Sequence, residues 1–158
     1  MVTLSEFLRR FANKIMSTSK IVYRNNLRTE SEHIASGEKI ITDAPVDNNG
    51  KGEAFSPTDL VATALGSCMI TIIAIAAEKN GLDISGTSAS VKKVMSANPR
   101  MISDVIIEIK MNKRISEKDR KRLEKAALAC PVHKSLHPDM NKEIKFTVSY
   151  THLRAHET

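Results

Sequence analysis

Hydrophobic and polar residues alternate in several short stretches of the chain, which is the pattern of β-strands with one buried face. The clearest stretch is the last, where Ile144, Phe146, Val148 and Tyr150 alternate with polar residues. Asparagine pairs and glycines separate the earlier stretches and indicate turns. The pattern predicts strands near residues 20–24, 28–34, 39–42, 84–97, 101–112 and 144–150.

A long helix is predicted over residues 57–80. Ser56 suits the N-cap, and Pro57 suits the first helical position. Asp59, three residues after the serine, completes a capping box. Gly81 suits the end of the helix, because glycine readily adopts the left-handed conformation found there.

Residues 60–77 of this helix carry no charge, so a membrane span has to be considered. Threonine, serine, glycine and alanine within residues 60–77 lower the hydrophobicity of this segment. We therefore favour the helix of a soluble protein, covered on all sides. One sheet of five or six strands would cover a single face. We therefore expect a second copy of the chain on the other face, approaching closely at the small residues 62, 64, 66 and 67. The sequence predicts an intertwined homodimer and no membrane partner.

A second helix is predicted after Ser116, where Asp119 completes another capping box. Cys130 precedes Pro131, so this cysteine suits the N-cap of a further helical turn. The order of elements is β-β-β-α-β-β-α-β, which defines an α+β fold. Residues 16–150 are expected to form one domain.

The two ends differ from this domain. Residues 1–15 are predicted to form a short amphipathic helix. They suit a transit peptide, an extension packed on the domain, or sequence upstream of a start at Met16, and we favour the last two. Residues 151–158 have no pattern, and we expect a non-native tail. The apolar face of the first segment consists of Leu4, Phe7, Leu8, Phe11 and Ile15.

Charge and composition exclude several classes of protein. The 158 residues carry 24 basic and 18 acidic side chains, for a net charge of +6. The densest basic run, residues 118–125, is interrupted by acids and indicates a solvated helix face. With 4% aromatic residues and no tryptophan, a stacking platform for nucleic acid is not expected. The sequence shows no signal-peptide-like apolar run, so we expect a cytoplasmic protein.

Two cysteines are the candidates for chemistry. Cys68 lies mid-helix among apolar neighbours, and such a thiol is inert unless a cation is brought to it. Cys130, at a helix start, faces free backbone amides that favour a thiolate. Taken alone, each is also compatible with a packing role. A zinc site of Cys68, Cys130, His133 and His137 is a further alternative, although its spacing is a weak signal.

Three short motifs resemble those of the OsmC/Ohr family, which comprises osmotically inducible and organic-hydroperoxide-resistance proteins. They read Ser-Pro-Thr-Asp-Leu at 56–60, Ala-Leu-Gly-Ser-Cys at 64–68 and Cys-Pro-Val-His at 130–133. The resemblance covers about residues 18–149 and is nearest to the OsmC-like branch. It implies the OsmC fold and an active site at the interface of a homodimer.

The resemblance also implies a thiol-dependent peroxidase that needs no cofactor or metal. Cys68 would attack an organic hydroperoxide and become a sulfenic acid, and Cys130 would resolve it as a disulfide. A dithiol reductant of the lipoyl-protein or thioredoxin type would restore both thiols. A non-catalytic relative that binds an apolar ligand or senses redox state remains the alternative.

The family further uses an arginine on an early strand and a glutamate shortly before the first cysteine. We expect Arg28 to be this arginine, with Arg24 as the alternative. The glutamate has no direct counterpart, because Thr58 stands ten residues before the cysteine. Asp59 and Glu53 are the acids nearby. Asp59 and the cysteine fall on opposite faces of one helix, so Asp59 could orient the arginine only across a dimer.

Overall fold

A computed structural model describes residues 3–149 of the chain, apart from the side chains of residues 13–15 and 149. The elements follow the predicted order, with the predicted helix ahead of them and a short helix before the last strand. The predicted tail at 151–158 lies outside the described residues. The elements are α1 (Leu4–Ile15), β1 (Ser19–Tyr23), β2 (Arg28–His33), β3 (Lys39–Asp43), α2 (Pro57–Lys79), β4 (Ser88–Ala97), β5 (Arg100–Asn112), α3 (Glu117–Ala127), α4 (Pro131–Ser135) and β6 (Asn141–Ser149), with a 3-10 turn at Val46–Asn48.

The described strands form two three-stranded sheets, so the expectation of one sheet of five or six strands is wrong. The chain divides into two compact units, Met1–Pro57 and Thr58–Thr158, and each contains one sheet. The first three strands pair with one another because short turns join them, and such connections favour antiparallel neighbours. In the second sheet β4 and β5 form an antiparallel pair, and β6 lies parallel to β5.

The first unit contains α1 and the antiparallel sheet β1-β2-β3. Three consecutive residues between β1 and β2, Asn25, Asn26 and Leu27, have positive φ angles and make the tight turn. The β2–β3 register places Arg28 directly opposite Asp43. Side chains at paired positions lie on the same face of a sheet, so this register brings a cation and an acid together.

The second unit contains the apolar core. Alternate residues of β5 turn the same face inward and are fully buried: Val105, Ile107, Ile109 and Met111. The parallel pairing of β5 with β6 requires a crossover, which α3 and α4 provide. From α2 the core receives Leu65, Met69 and Ile73, and from α3 it receives Leu123 and Ala127.

Gly66 allows α2 to approach the sheet closely. A Cβ atom at this position would lie 2.8 Å from Cγ2 of Val91 on β4. Ala62 is also buried within this unit, whereas Ala64 and Ser67 are exposed. Half of the small residues expected to face a partner chain are therefore explained by packing inside one chain.

Among the helices of residues 3–149, α2 alone is long and apolar enough to cross a membrane, with a mean hydropathy of 2.3. A helix from the core of a soluble protein has the same composition. Six residues of α2 are buried in the second unit, which accounts for part of its apolar character.

Candidate active site

The structure brings the two cysteines together. Cys68 lies near the middle of α2 and is half-buried, and Cys130 is the N-cap residue of α4 and is fully buried. Both are free thiols. The two side chains lie close enough for Cys68 to raise the pKa of Cys130. Proximity of two thiols is a precondition for a disulfide between them.

The environment of Cys130 favours the neutral thiol. Burial is the main cause that raises its pKa, and the hydrogen bond with Cys68 raises it further. The backbone amides of Val132 and His133 act in the opposite direction. Neither amide makes a hydrogen bond of normal geometry to the sulfur, so their effect is the smaller one. The N-cap position predicted for Cys130 is confirmed, but the thiolate expected there is not favoured.

His133 follows Cys130 by three residues, and its imidazole is held in the neutral form. Burial lowers the pKa of His133, and the nearby charge of Lys142 lowers it again. A protonated His133 is therefore a poor source of positive charge for the buried cysteine. Across residues 3–149 no three histidine, cysteine or carboxylate side chains converge as metal ligands would, so the zinc site considered above is not formed there.

In the first unit Arg28 is held by two carboxylates. Its Nε donates to Asp43 Oδ1 at 2.7 Å, and its Nη2 donates to Asp43 Oδ2 at 2.9 Å. The same Nη2 lies 3.3 Å from Glu53 Oε2. The Asp43 carboxylate is 1% exposed and also accepts the backbone N–H of Glu53. This fork-to-fork pairing fixes the plane of the guanidinium.

The charge state of the pair follows from the same contacts. The hydrogen bonds from Arg28 hold the pKa of Asp43 below its usual value, in spite of the burial of the carboxyl. In return, the hydrogen bonds to Asp43 raise the pKa of Arg28. Both groups remain ionised at neutral pH. Arg24, the alternative arginine, makes an exposed ion pair with Glu30 at 2.9 Å instead.

The two acids considered as partners of Arg28 make different contacts. Glu53 contacts Arg28, as described above, whereas Asp59 pairs with Lys93 on β4 at 2.8 Å. The same ammonium group donates to the Thr58 hydroxyl at 2.8 Å. The side chain of Lys93 is only 16% exposed, and its cross-strand partner is the buried Val105.

Sequence reasoning missed two residues of these networks, Asp43 and Lys93. Asp43 comes at the end of a strand and has no motif of its own, so only the register of β2 with β3 reveals its role. For Lys93 the sequence does contain a weak signal. It lies two residues after Val91 on a strand whose alternate residues face the core, and an inward-facing lysine needs an acid partner.

Comparison with known proteins agrees with this fold. The family model described as OsmC-like protein matches residues 50–145. The chain belongs to the OsmC family. A crystal structure from Psychrobacter arcticus 273-4, of a protein provisionally described as an osmotic stress induced and detoxification response protein, is 53% identical with a TM-score of 0.78. The match covers 85% of this chain and 96% of that one.

More distant structures share the fold alone. An organic hydroperoxide resistance protein OsmC from Legionella pneumophila is 19% identical, with a TM-score of 0.61, over 85% of this chain and 98% of that one. An organic hydroperoxide resistance protein from Elizabethkingia anophelis is 16% identical, with a TM-score of 0.62, over 86% and 98%. Comparison with curated proteins gives no match.

Proposed function

We propose that this protein is a thiol peroxidase that reduces organic hydroperoxides and is recycled by a dithiol. The observation that carries the proposal is the proximity of Cys68 and Cys130 inside one chain. Membership of a family that includes proteins named for organic hydroperoxide resistance supports the class of substrate.

The proposed reaction has three steps. The Cys68 thiolate attacks one oxygen of the O–O bond, so the sulfur becomes a sulfenic acid and the other oxygen leaves as an alcohol after taking up a proton. The Cys130 sulfur then attacks the sulfenic sulfur, a disulfide forms and water leaves. A dithiol reduces this disulfide by two exchange reactions and is itself oxidised to a disulfide.

The raised pKa of Cys130 suits a resolving role. A neutral thiol keeps its proton while Cys68 reacts, so the first attack is left to Cys68. The proton of Cys130 is then available for the hydroxide that leaves the sulfenic sulfur. Burial of Cys130 also keeps it from reacting with peroxide on its own account.

The proposal assigns the positive charge of the site to Arg28. An arginine stays charged where a lysine would lose its proton, so it suits a water-poor site. Its guanidinium is held in one plane by Asp43 and Glu53, which supports a positioning function. Asp59 has no such part in the proposal, because it pairs with Lys93.

A homodimer is part of the proposal. One face of the β1-β2-β3 sheet carries Ile21, Tyr23 and Ile40, which are 64%, 59% and 51% exposed. A contiguous apolar patch that is exposed on a sheet marks an interaction surface. In the second unit Val61 and Ile75 of α2 are also exposed. A second copy of the chain would cover these exposed apolar residues of both units.

Turnover of tert-butyl hydroperoxide with dihydrolipoate as the reductant tests this function. We expect dithiol-dependent turnover in the wild type, a lower rate with hydrogen peroxide, and none in Cys68→Ser. The neighbouring Ser67→Ala, an exposed position on the same helix, is the matched control and keeps the wild-type rate. Equal rates in wild type and Cys68→Ser would show that the proposed enzyme function is wrong.

One observation favours a second candidate function, a redox sensor or a binder of apolar ligands. Thr58 stands where the family glutamate is expected, and its hydroxyl is engaged by Lys93. A protein that lacks this acid could form the disulfide and still turn over slowly. Stoichiometric formation of the disulfide by peroxide without dithiol-dependent turnover would favour the sensor.

A further inference from the structure

We propose that α1 binds the surface of an anionic lipid bilayer and lies in the plane of the interface. The inference concerns a surface outside the cysteine site and does not rest on the peroxidase proposal. It departs from the expectation above that the protein has no membrane partner, which was based on α2 alone.

The apolar side chains of α1 form an uncovered stripe. Leu4, Phe7, Leu8 and Phe11 are 74%, 59%, 56% and 55% exposed. Their spacing of three and four residues places them on one face of the helix. A helix with such a stripe and a charged opposite face is the kind that inserts shallowly among lipid headgroups.

The apolar stripe is already formed in the single chain. The rings of Phe7 and Phe11 stack with their centroids 6.2 Å apart and their planes 18° from parallel. At the start of the helix Thr3 and Glu6 form a reciprocal capping box, in which the Thr3 N–H donates to Glu6 Oε2 at 3.0 Å. The cap stabilises the first turn and therefore presents the apolar face as one surface.

Charge decides which partner suits this stripe. At 100° per residue, Arg10 falls beside the apolar face and Arg9 falls on the opposite, polar face. Neither guanidinium forms an ion pair with any acid of residues 3–149, and the only acid of α1, Glu6, is engaged in the cap. A long basic side chain at the edge of the stripe reaches the phosphates while its stem stays beside the apolar surface, and a basic residue on the polar face adds to the attraction of an anionic bilayer.

A second copy of α1 is a poorer partner than lipid. Two apolar stripes packed face to face would leave Arg10 of each helix at the rim of the contact. Like charges at the rim of an interface are unfavourable, and the acid of α1, Glu6, is engaged in the cap. An anionic lipid surface offers apolar contact and negative charge at once.

Flotation of the full-length protein with lipid vesicles tests the proposal. The vesicles are phosphatidylcholine alone, or phosphatidylcholine mixed with phosphatidylglycerol. We expect binding to the mixed vesicles about tenfold tighter than to phosphatidylcholine alone, falling as salt is raised. Failure of the wild type to float with the mixed vesicles would overturn the proposal.

Two variants test the apolar stripe. The double substitution Phe7→Ser/Phe11→Ser alters exposed side chains only, so the fold is kept, and we expect about tenfold weaker binding to the mixed vesicles. Val46→Ser, which removes a side chain that is 74% exposed in another element, is the matched control and binds as the wild type does. Equal binding by the double variant and the wild type would overturn the proposal.

A second pair of variants tests the charge. Arg9→Gln/Arg10→Gln is expected to lose the preference for phosphatidylglycerol, whereas Lys118→Gln/Lys121→Gln on α3 is expected to keep it. If both pairs reduce binding equally, the attraction is a general effect of net charge and the assignment to α1 is wrong. If Phe7→Ser/Phe11→Ser instead changes the oligomeric state and leaves lipid binding unaltered, the stripe binds a second copy and the proposal is likewise overturned.

Discussion

The Cys130 thiol is fully buried and lies close enough to the Cys68 side chain for Cys68 to raise its pKa. The helix that carries Cys68 and the turn that carries Cys130 come from distant parts of the sequence, and the fold of the second unit brings them together. The pair therefore combines an accessible sulfur with a protected one, and two consequences of this difference can be measured.

The first consequence is a pH dependence of stability. Burial and the contact with Cys68 raise the pKa of Cys130 in the folded protein. Above about pH 8.5, the ordinary pKa of a thiol, the unfolded chain loses the Cys130 proton while the folded chain keeps it. The stabilising contribution is therefore full below this pH and is lost as pH rises toward the folded-state pKa.

We expect the free energy of unfolding of the reduced protein to fall by about 1 kcal/mol more in the wild type than in Cys130→Ser between about pH 7 and about pH 9.5. Urea unfolding under reducing conditions measures this difference. The serine variant controls for the titration of all other groups. Parallel pH profiles for the two proteins would show that the folded environment does not protect the thiol.

A second prediction concerns the acid that sequence reasoning missed. Asp43→Asn removes the charge that the Arg28 fork requires and leaves the guanidinium with Glu53 as its remaining acid. We expect a Tm lower by several degrees, because a buried hydrogen-bonded acid is lost. Glu53→Gln is the control, since its side chain is 65% exposed, and it is expected to change the Tm by no more than about 1 °C.

Peroxidase activity distinguishes a role of Asp43 in positioning Arg28 from a role in stability alone. Within the proposed function, Asp43→Asn is expected to lower turnover of tert-butyl hydroperoxide about tenfold at a temperature where the variant is folded, since the arginine is no longer fixed in one plane. Wild-type turnover in this variant would show that Asp43 contributes to stability alone.

A third prediction concerns Gly66. Alanine at this position gains about 1 kcal/mol of helix propensity, but its Cβ would meet Val91 Cγ2 at 2.8 Å. Overpacking in a core costs about 1–3 kcal/mol, so we expect Gly66→Ala to destabilise the protein by about 1 kcal/mol.

A double-mutant cycle with Val91→Ala checks the cause. If the overlap is responsible, Gly66→Ala becomes neutral or stabilising once the valine methyl groups are removed, with a coupling energy of about 1–2 kcal/mol. Strictly additive effects would show that the glycine is needed for another reason.

Much of the fold could be predicted from local signals. Ser116 accepts the backbone N–H of Asp119 at 3.1 Å, as the capping box indicates, and Pro57 begins α2 as predicted. Alternation along the chain placed β5 and β6 because each has one apolar face. The predicted strand from residue 84 begins only at Ser88, since the preceding residues form turns in which side-chain alternation carries no information.

Pairings between distant segments could not be predicted in the same way. The partner of Arg28 depends on the register of two strands, and a shift by one residue would replace Asp43 with a side chain on the other face. The partner of Asp59 depends on which strand lies beside the first turn of α2. The contact between the cysteines was expected only through the resemblance of their motifs to a family.

The most direct test of the account is the product formed by one equivalent of tert-butyl hydroperoxide and the reduced protein. The account predicts that both thiols disappear and that a peptide joining Cys68 to Cys130 within one chain is found by mass spectrometry under non-reducing conditions. Cys130→Ser should instead accumulate a sulfenic acid at Cys68 that a dimedone probe traps. A wild-type protein that keeps both thiols, or that is oxidised only at Cys130, would contradict the account.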